Sequence, residues 1–279
     1  MYVLRLYCKD KPGIVAAVAT TLSNNQCNIE ESSQFHDSFS NQFFMRVVFT
    51  PMQDGCLNAL KKNFEKIATE FDMTHLVCDL SQPIKTLIMV SQHDHCLHDL
   101  LYRLNKNSLS LDVAGVVSNH DVTHNMVERY NIPFHYLPVS KENKTEQEAT
   151  TQKIIDDNDV ELIIMARYMQ ILSDDFCTAN EGKVINIHHS FLPGFKGARP
   201  YHQAYERGVK IIGATAHFAT AELDEGPIIT QNIVPVDHRD TPETMQRMGQ
   251  DTESRVLARA VKLYTEHRIF INGRRTIIL

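Results

Sequence analysis

The chain has 279 residues, of which 43% are hydrophobic and 22% charged, and its formal net charge is -6. Those figures fit a soluble globular protein of one large or two ordinary domains. The acidic balance excludes a general nucleic-acid binder, which needs a basic face, and leaves small-molecule ligands. No apolar run reaches the ~20 residues a membrane helix needs. The first six residues lack the basic and apolar regions of a secretory signal. A cytoplasmic protein without membrane association is expected. The six cysteines, Cys8, Cys27, Cys56, Cys78, Cys96 and Cys177, are scattered with no CxxC pair and read as free thiols.

The first third alternates short strands and helices. Residues 3–8 have strand character, and Asp10-Lys11-Pro12-Gly13 follows as a turn. Residues 14–23 carry Ile14, Val15, Val18 and Leu22 at helical spacing. Residues 27–36 and 43–50 form a predicted hairpin, residues 57–70 an amphipathic helix with Leu57, Leu60, Phe64 and Ile67 on one face, and residues 73–80 a last strand. The order is βαββαβ, the ferredoxin-like plan. With Asp10-Lys11-Pro12-Gly13-Ile14-Val15 closing the first strand, this segment resembles the ACT family. The resemblance implies either an amino-acid-sensing module or a purely dimerising one, and a homo-oligomer. Its effector residues would be Lys11, Pro12, Gly13, Ile14, Asn28 and Ile29.

Ser81-Gln82-Pro83 marks a boundary, giving domains 1–82 and 83–279. Beyond it, strands are predicted at residues 86–90, 111–117, 133–137, 160–166 and 184–187, separated by helices at 98–104, 126–130 and 146–157 and a helix opened by Ser173 as cap. Continuous apolar strands alternating with helices predict a Rossmann-like, mostly parallel α/β sheet covered on both faces. Residues 211–218 and 227–236 are predicted strands around an irregular loop. A long helix begins at Asp240-Thr241-Pro242-Glu243, and residues 268–279 form a predicted hairpin turning at Asn272-Gly273.

Ligands of parallel sheets bind beyond the carboxyl ends of strands, which is where Asn186-Ile187-His188-His189-Ser190-Phe191-Leu192-Pro193 lies. Asn186 offers a donor to an oxygen gaining charge. His188, two residues on, projects from the same side and can move a proton. Asp224, in the Gly- and Pro-bounded Glu222-Leu223-Asp224-Glu225-Gly226-Pro227, is a carboxylate that would favour the charged imidazole or hold a water. His189 and His217 are further candidates for the same pocket. These groups point to chemistry at a carbonyl carbon.

The same segments, with Gly213-Ala214-Thr215-Ala216-His217-Phe218 between them, resemble the folate-dependent formyltransferase family. The resemblance maps its catalytic trio onto Asn186, His188 and Asp224, and its folate pocket onto Met169, Gln170, Ile171 and Leu172 with Thr220, Glu222 and Leu223. The match extends through Gly197-Ala198-Arg199-Pro200-Tyr201 to the C-terminal Arg275-Thr276-Ile277-Ile278-Leu279, and covers nearly the whole chain. It implies hydrolysis of 10-formyltetrahydrofolate to formate and tetrahydrofolate, with formate serving purine synthesis and the balance of one-carbon folates, and with no cofactor or metal. Two departures favour water over an amine as nucleophile. Ser91-Gln92-His93-Asp94-His95-Cys96-Leu97-His98 has no glycine where transferases carry a phosphate-gathering loop, and His189 stands where they usually have proline. The alternatives are a formyltransferase with an unidentified amine acceptor, a metal-dependent hydrolase built on His93, Asp94, His95, Cys96 and His98, and a non-catalytic amino-acid sensor. No second distant cluster gives the metal reading a known spacing.

Overall fold

Alternation of buried Leu4, Leu6 and Cys8 with the opposite-facing Val3, Arg5 and Tyr7 makes β1 (Tyr2–Lys9) a strand with two different faces. The computed structural model describes residues 1–192 and 200–279. After β1 come α1 (Ile14–Asn24), β2 (Cys27–Asp37), β3 (Gln42–Pro51), α2 (Cys56–Phe71) and β4 (Thr74–Asp79). They form an antiparallel sheet in the order β2-β3-β1-β4. Gly13 takes φ 95° at the start of α1, a left-handed conformation open to glycine. Leu4, Leu6, Met45, Val47 and Phe49 pack one sheet face against Val18 and Leu22 of α1 and Leu60 and Phe64 of α2. This is the expected ferredoxin-like plan.

The chain divides into two compact units, and a single cut after Gln82 does not describe them. Residues 266–270 and 277–279 cluster with the first unit. The reason is the second face of its sheet. Phe270 packs edge-on against Phe44 at 5.6 Å between centroids, with the Arg5 guanidinium 4.5 Å over the Phe270 ring. Buried Arg46 donates to the Glu266 carbonyl at 3.0 Å and, with Arg268, pairs with Glu31. A terminal segment read only for hairpin propensity gives no sign of this packing.

The second unit contains β5 (Ile84–Val90), α3 (His95–Asn105), β6 (Leu111–Ser118), α4 (His124–Glu128), β7 (Phe134–Tyr136), α5 (Lys144–Asp157), β8 (Leu162–Met165), α6 (Asp174–Ala179) and β9 (Val184–His188). It continues with α7 (Pro200–Arg207), β10 (Ile211–Phe218), β11 (Ile228–Pro235) and α8 (Pro242–Thr265). Its sheet runs β11-β10-β9-β8-β5-β6-β7. The five strands from β9 to β7 are parallel, whereas β10 and β11 add antiparallel. From β5 the chain winds outward through β6 to β7, then returns to the other side of β5 as β8. The carboxyl ends of β5 and β8 therefore flank the point where winding reverses. The remaining strands, β12 (Ile269–Asn272) and β13 (Arg275–Ile278), form the expected terminal hairpin, with Gly273 at φ 60°.

Helix starts follow the residues that signalled them. Ser173 Oγ accepts from Phe176 N at 3.2 Å, and Thr241 Oγ1 from Thr244 N at 3.3 Å. Helix α7 was not anticipated. The Pro193-Gly194 turn and the Gly197-Ala198-Arg199 motif lie outside the described residues. No helix among the described residues is long and apolar enough to cross a membrane, and the six cysteines are free.

Candidate active site

Asn186 and His188 occupy alternate positions of β9, so both side chains leave the same face at its carboxyl end. The antiparallel partner β10 sets His217 opposite Asn186 and Thr215 opposite His188. Thr215 Oγ1 donates to Ser190 O at 3.0 Å and accepts from Leu192 N at 3.1 Å, while Gln231 Nε2 donates to both Thr215 Oγ1 and Leu192 O. That cluster fixes the course of the chain as it leaves β9. His217 Nδ1 donates to the Phe218 carbonyl at 2.9 Å, and in that tautomer Nε2 accepts from Asn186 Nδ2 at 3.2 Å.

Asp224 reaches these residues from the loop between β10 and β11. The neck of that loop is closed by Phe218 N donating to Pro227 O at 2.9 Å. Gly226 fits in the neck because it has no side chain: a Cβ there would lie 1.8 Å from the Phe218 carbonyl oxygen. Asp224 itself has φ 58°, a conformation uncommon outside glycine, asparagine and aspartate. Its Oδ2 lies 3.2 Å from His188 Nδ1 and its Oδ1 3.6 Å from His217 Nε2. Burial pushes the Asp224 carboxyl up, but the hydrogen bond from His188 and the nearby imidazole of His217 outweigh it and hold the acid well below the usual carboxylate range. A carboxylate only accepts, so His188 carries a proton on Nδ1. Its Nε2 is buried and has no hydrogen-bond partner among the described residues.

A cavity of about 210 Å³ is lined by Asn186, His188, His189, Asp224, Arg167, Met169, Gln170, Ile171 and Leu223, among others. A smaller one of about 40 Å³ adjoins it, lined by Leu172 and Thr220 together with Gln170, Ile171, Leu223, Asn186, His217 and Asp224. Met169, Ile171 and Leu223 are 55%, 60% and 58% exposed, so three large apolar side chains border the opening without covering partners among the described residues. Glu222 lines neither cavity. Its carbonyl accepts from Thr220 Oγ1 at 3.0 Å and from Glu225 N at 3.2 Å, which shapes the turn before Asp224. The His189 ring stacks on His188, with centroids 4.9 Å apart and planes 18° apart. Burial, with the charges of Arg167 and His188, pushes His189 down to about 4 and keeps it neutral near pH 7.

Sequence reasoning missed what stands behind this wall. Glu253, 1% exposed on α8, accepts from His95 Nε2 at 2.8 Å and from the Tyr201 hydroxyl at 3.0 Å. Its Oε2 lies 3.4 Å from Arg167 Nε. Burial opposes ionisation of Glu253, but the hydrogen bond from His95 and the charge of Arg167 outweigh it and the carboxyl stays low. Gly249, one turn earlier on α8, makes room for the Tyr201 ring. A signal existed: Glu253 falls among Gly249, Val256 and Leu257 on the buried stripe of α8, where an acid must find partners. The ligand-capable atoms of His95, Cys96 and Glu253 lie within 4.8 Å of one another, so the crowded segment does have a distant carboxylate. The Arg167 guanidinium already supplies the positive charge there.

In the first unit, Lys11, Pro12 and Gly13 are exposed in the turn after β1, and Asn28 and Ile29 are exposed on β2. Ile14 differs from them in being buried in the core. A bulge between Ile29 and Glu31 shifts the β2–β3 register.

Known proteins match this arrangement throughout. Residues 84–261 match the formyl transferase family, and residues 2–65 match the ACT domain. The protein is thus of the formyl-transferase class, with an ACT domain at its N-terminus. Formyltetrahydrofolate deformylase of Corynebacterium sp. (strain P-1) is 46% identical over 279 residues, covering 100% of this chain and 98% of the relative. The crystal structure of formyltetrahydrofolate deformylase from Burkholderia mallei ATCC 23344 superposes with a TM-score of 0.96 at 46% identity, covering 100% of this chain and 99% of that one. The crystal structure of glycinamide ribonucleotide transformylase 1 from Symbiobacterium toebii shares 32% identity and a TM-score of 0.66, over 71% of this chain and 94% of that one. This chain belongs to the formyltetrahydrofolate deformylase family.

Proposed function

We propose that this protein hydrolyses 10-formyltetrahydrofolate, with water as the nucleophile, giving formate and tetrahydrofolate. The observation that carries the reading is the His188–Asp224 pair at the end of β9. One imidazole nitrogen is held by a carboxylate 3.2 Å away, and the other is buried, without a hydrogen-bond partner among the described residues, and on a side chain that lines the cavity. In that cavity the water oxygen attacks the formyl carbon. The Asn186 amide and the imidazolium of His188 stabilise the oxyanion. A single such donor contributes ~10²–10³ in rate. The C–N10 bond then breaks. Its electron pair goes to N10, which takes the proton that the attacking water gave up to His188 Nε2, and formic acid is released as formate and a proton. Asp224 stabilises the imidazolium and orients it. His189, neutral and stacked on His188, and His217, bonded to Asn186, hold the two groups in place.

Met169, Gln170, Ile171 and Leu172, with Thr220 and Leu223, form the folate pocket in this reading, and Glu222 shapes the turn beside it. The uncovered apolar side chains of Met169, Ile171 and Leu223 suit the face of a flat aromatic ring. The reaction as written calls on no cofactor and no metal. Formate released in the cytoplasm would serve purine synthesis and the balance of one-carbon folates. The ACT domain is assigned an amino-acid effector near residues 11–14 and 28–29, and a role in homo-oligomer formation.

The test is to mix the purified protein with 10-formyltetrahydrofolate in buffer containing no amine acceptor and to follow formate and tetrahydrofolate together. Equal release of both is expected. Folate bound without release would mean that an acceptor is missing, and would make the protein a formyltransferase.

A further inference from the structure

Arg167 has no part in the steps above, yet the fold places it with unusual constraint. Its backbone has φ 65°, a left-handed conformation for a long side chain, directly after the buried strand β8. Such conformations persist where surrounding structure over-determines them, and they cluster at functional sites. Its O accepts from Ser91 N at 3.2 Å, which ties it to the carboxyl end of β5 at the reversal of winding. Its side chain is only 11% exposed and faces Glu253, whose carboxylate is in turn bonded by His95 and Tyr201. Glu253 balances the guanidinium charge without satisfying it, because Arg167 Nε is buried and makes no hydrogen bond among the described residues. The only other unpartnered buried side-chain atoms among those residues are Thr123 Oγ1 and His188 Nε2. Arg167 and His188 line the same cavity of about 210 Å³. A planar guanidinium that is charged at every working pH offers a fork of N–H donors, and the matching ligand is a carboxylate.

We propose that Arg167 is the binding residue for the small carboxylate in this cavity, formate, and that Glu253 is its positioning residue. The inference rests on the hydrolysis reading for the ligand's identity, since formate is the carboxylate which that reaction generates beside His188. Arg167 receives the product oxygens once the C–N10 bond has broken, while the apolar rim of Met169, Ile171 and Leu223 holds the folate.

The experiment titrates sodium formate into the resting full-length protein, without folate, by calorimetry or by 13C-formate line broadening. A three-heavy-atom ligand at the best efficiency small ligands reach has a Kd on the order of 1 mM. Saturable binding near that value is expected, weakened at least ~10-fold in Arg167→Gln and partly restored in Arg167→Lys, which keeps the charge but loses the fork. Glu253→Gln should weaken formate binding by several-fold while far-ultraviolet circular dichroism stays that of the parent. Equal affinity in the parent and Arg167→Gln, or no saturation in the parent, would overturn the proposal. If Arg167→Gln fails to fold beside an unbalanced Glu253, Arg167→Lys decides alone: unchanged affinity overturns it. The two readings fail separately. Arg167-dependent formate binding without turnover would remove only hydrolysis; turnover with formate binding blind to Arg167 would remove only this site.

Discussion

Asp224→Asn removes one charge from the centre of the proposed mechanism and almost nothing else. Asparagine keeps the volume, and it is among the few residues that tolerate the φ of 58° found here. The interaction at stake is the 3.2 Å pair between Oδ2 and His188 Nδ1, whose side chains are only 14% and 9% exposed. At an effective dielectric of ~20, Coulomb's law gives ~5 kcal/mol at that separation. Some of this is present before the imidazole charges, so the part felt in the transition state is ~3–5 kcal/mol, or ~10²- to several-thousand-fold in kcat at ~1.36 kcal/mol per decade. Folate binding should persist, because the apolar rim is untouched. The assay is formate and tetrahydrofolate release in amine-free buffer, with folate binding measured separately by fluorescence. Turnover within ~10-fold of the parent would show that the carboxylate charge is not used. Loss of folate binding together with turnover would make Asp224 a substrate anchor instead.

His188→Ala should cost at least ~10² in single-turnover rate, the scale for losing an acid–base group, with folate affinity near that of the parent. A rate within a few-fold would exclude His188. His189 should make the protein less stable in acid. Its pKa falls from 6.5 in the unfolded chain to about 4 in the fold, so the unfolded chain binds the extra proton first. Stability is then full above ~6.5 and is lost as pH falls toward about 4, by up to ~3 kcal/mol. His267 in the first unit, lowered to about 4 by burial and by Arg5 and Arg46, has the same sign and window. Thermal melts of His189→Asn should decline less steeply across that range, and an unchanged slope would refute the assignment. Gly226→Ala puts a Cβ 1.8 Å from the Phe218 carbonyl oxygen. It should open the loop neck, destabilise the fold by at least the ~1–3 kcal/mol of an overpacked site, read as a lower melting temperature, and abolish turnover; a stable, active variant would show that the neck does not hold Asp224.

The shared face of Asn186 and His188 was legible because period-2 placement in a strand is a local property: the two had to lie on one side wherever β9 went. The ferredoxin-like order of the first unit and the apolar parallel strands of the second were equally local. Glu253 was not legible as a site residue, because its partners His95 and Arg167 lie 158 and 86 residues away in sequence and meet it only when α8 packs on the sheet. The return of residues 266–270 to the first unit is of the same kind. It depends on an aromatic contact and buried arginine bonds that no periodicity announces. A mostly parallel sheet was expected, as found, but that β10 and β11 are the antiparallel strands was not legible, since strand direction is set by what lies between two strands and not by their composition.

That antiparallel step does chemical work. Because β10 runs against β9, His217 lies directly across from Asn186 and is bonded to it. The chain then leaves β10 beside Ile185, below the carboxyl end of β9, since Phe218 pairs there. It must climb back to reach His188, and the loop closed by Phe218 and Pro227 makes that climb with Leu223 and Asp224 at its far side. One loop therefore presents both an apolar side chain to the cavity opening and the carboxylate to the imidazole. Leu223 and Asp224 are adjacent on that loop, and Asp224 already pairs with His188 at 3.2 Å, so in the proposed mechanism folate contact and the proton-handling pair rest on one backbone segment, and a change that displaces one displaces the other.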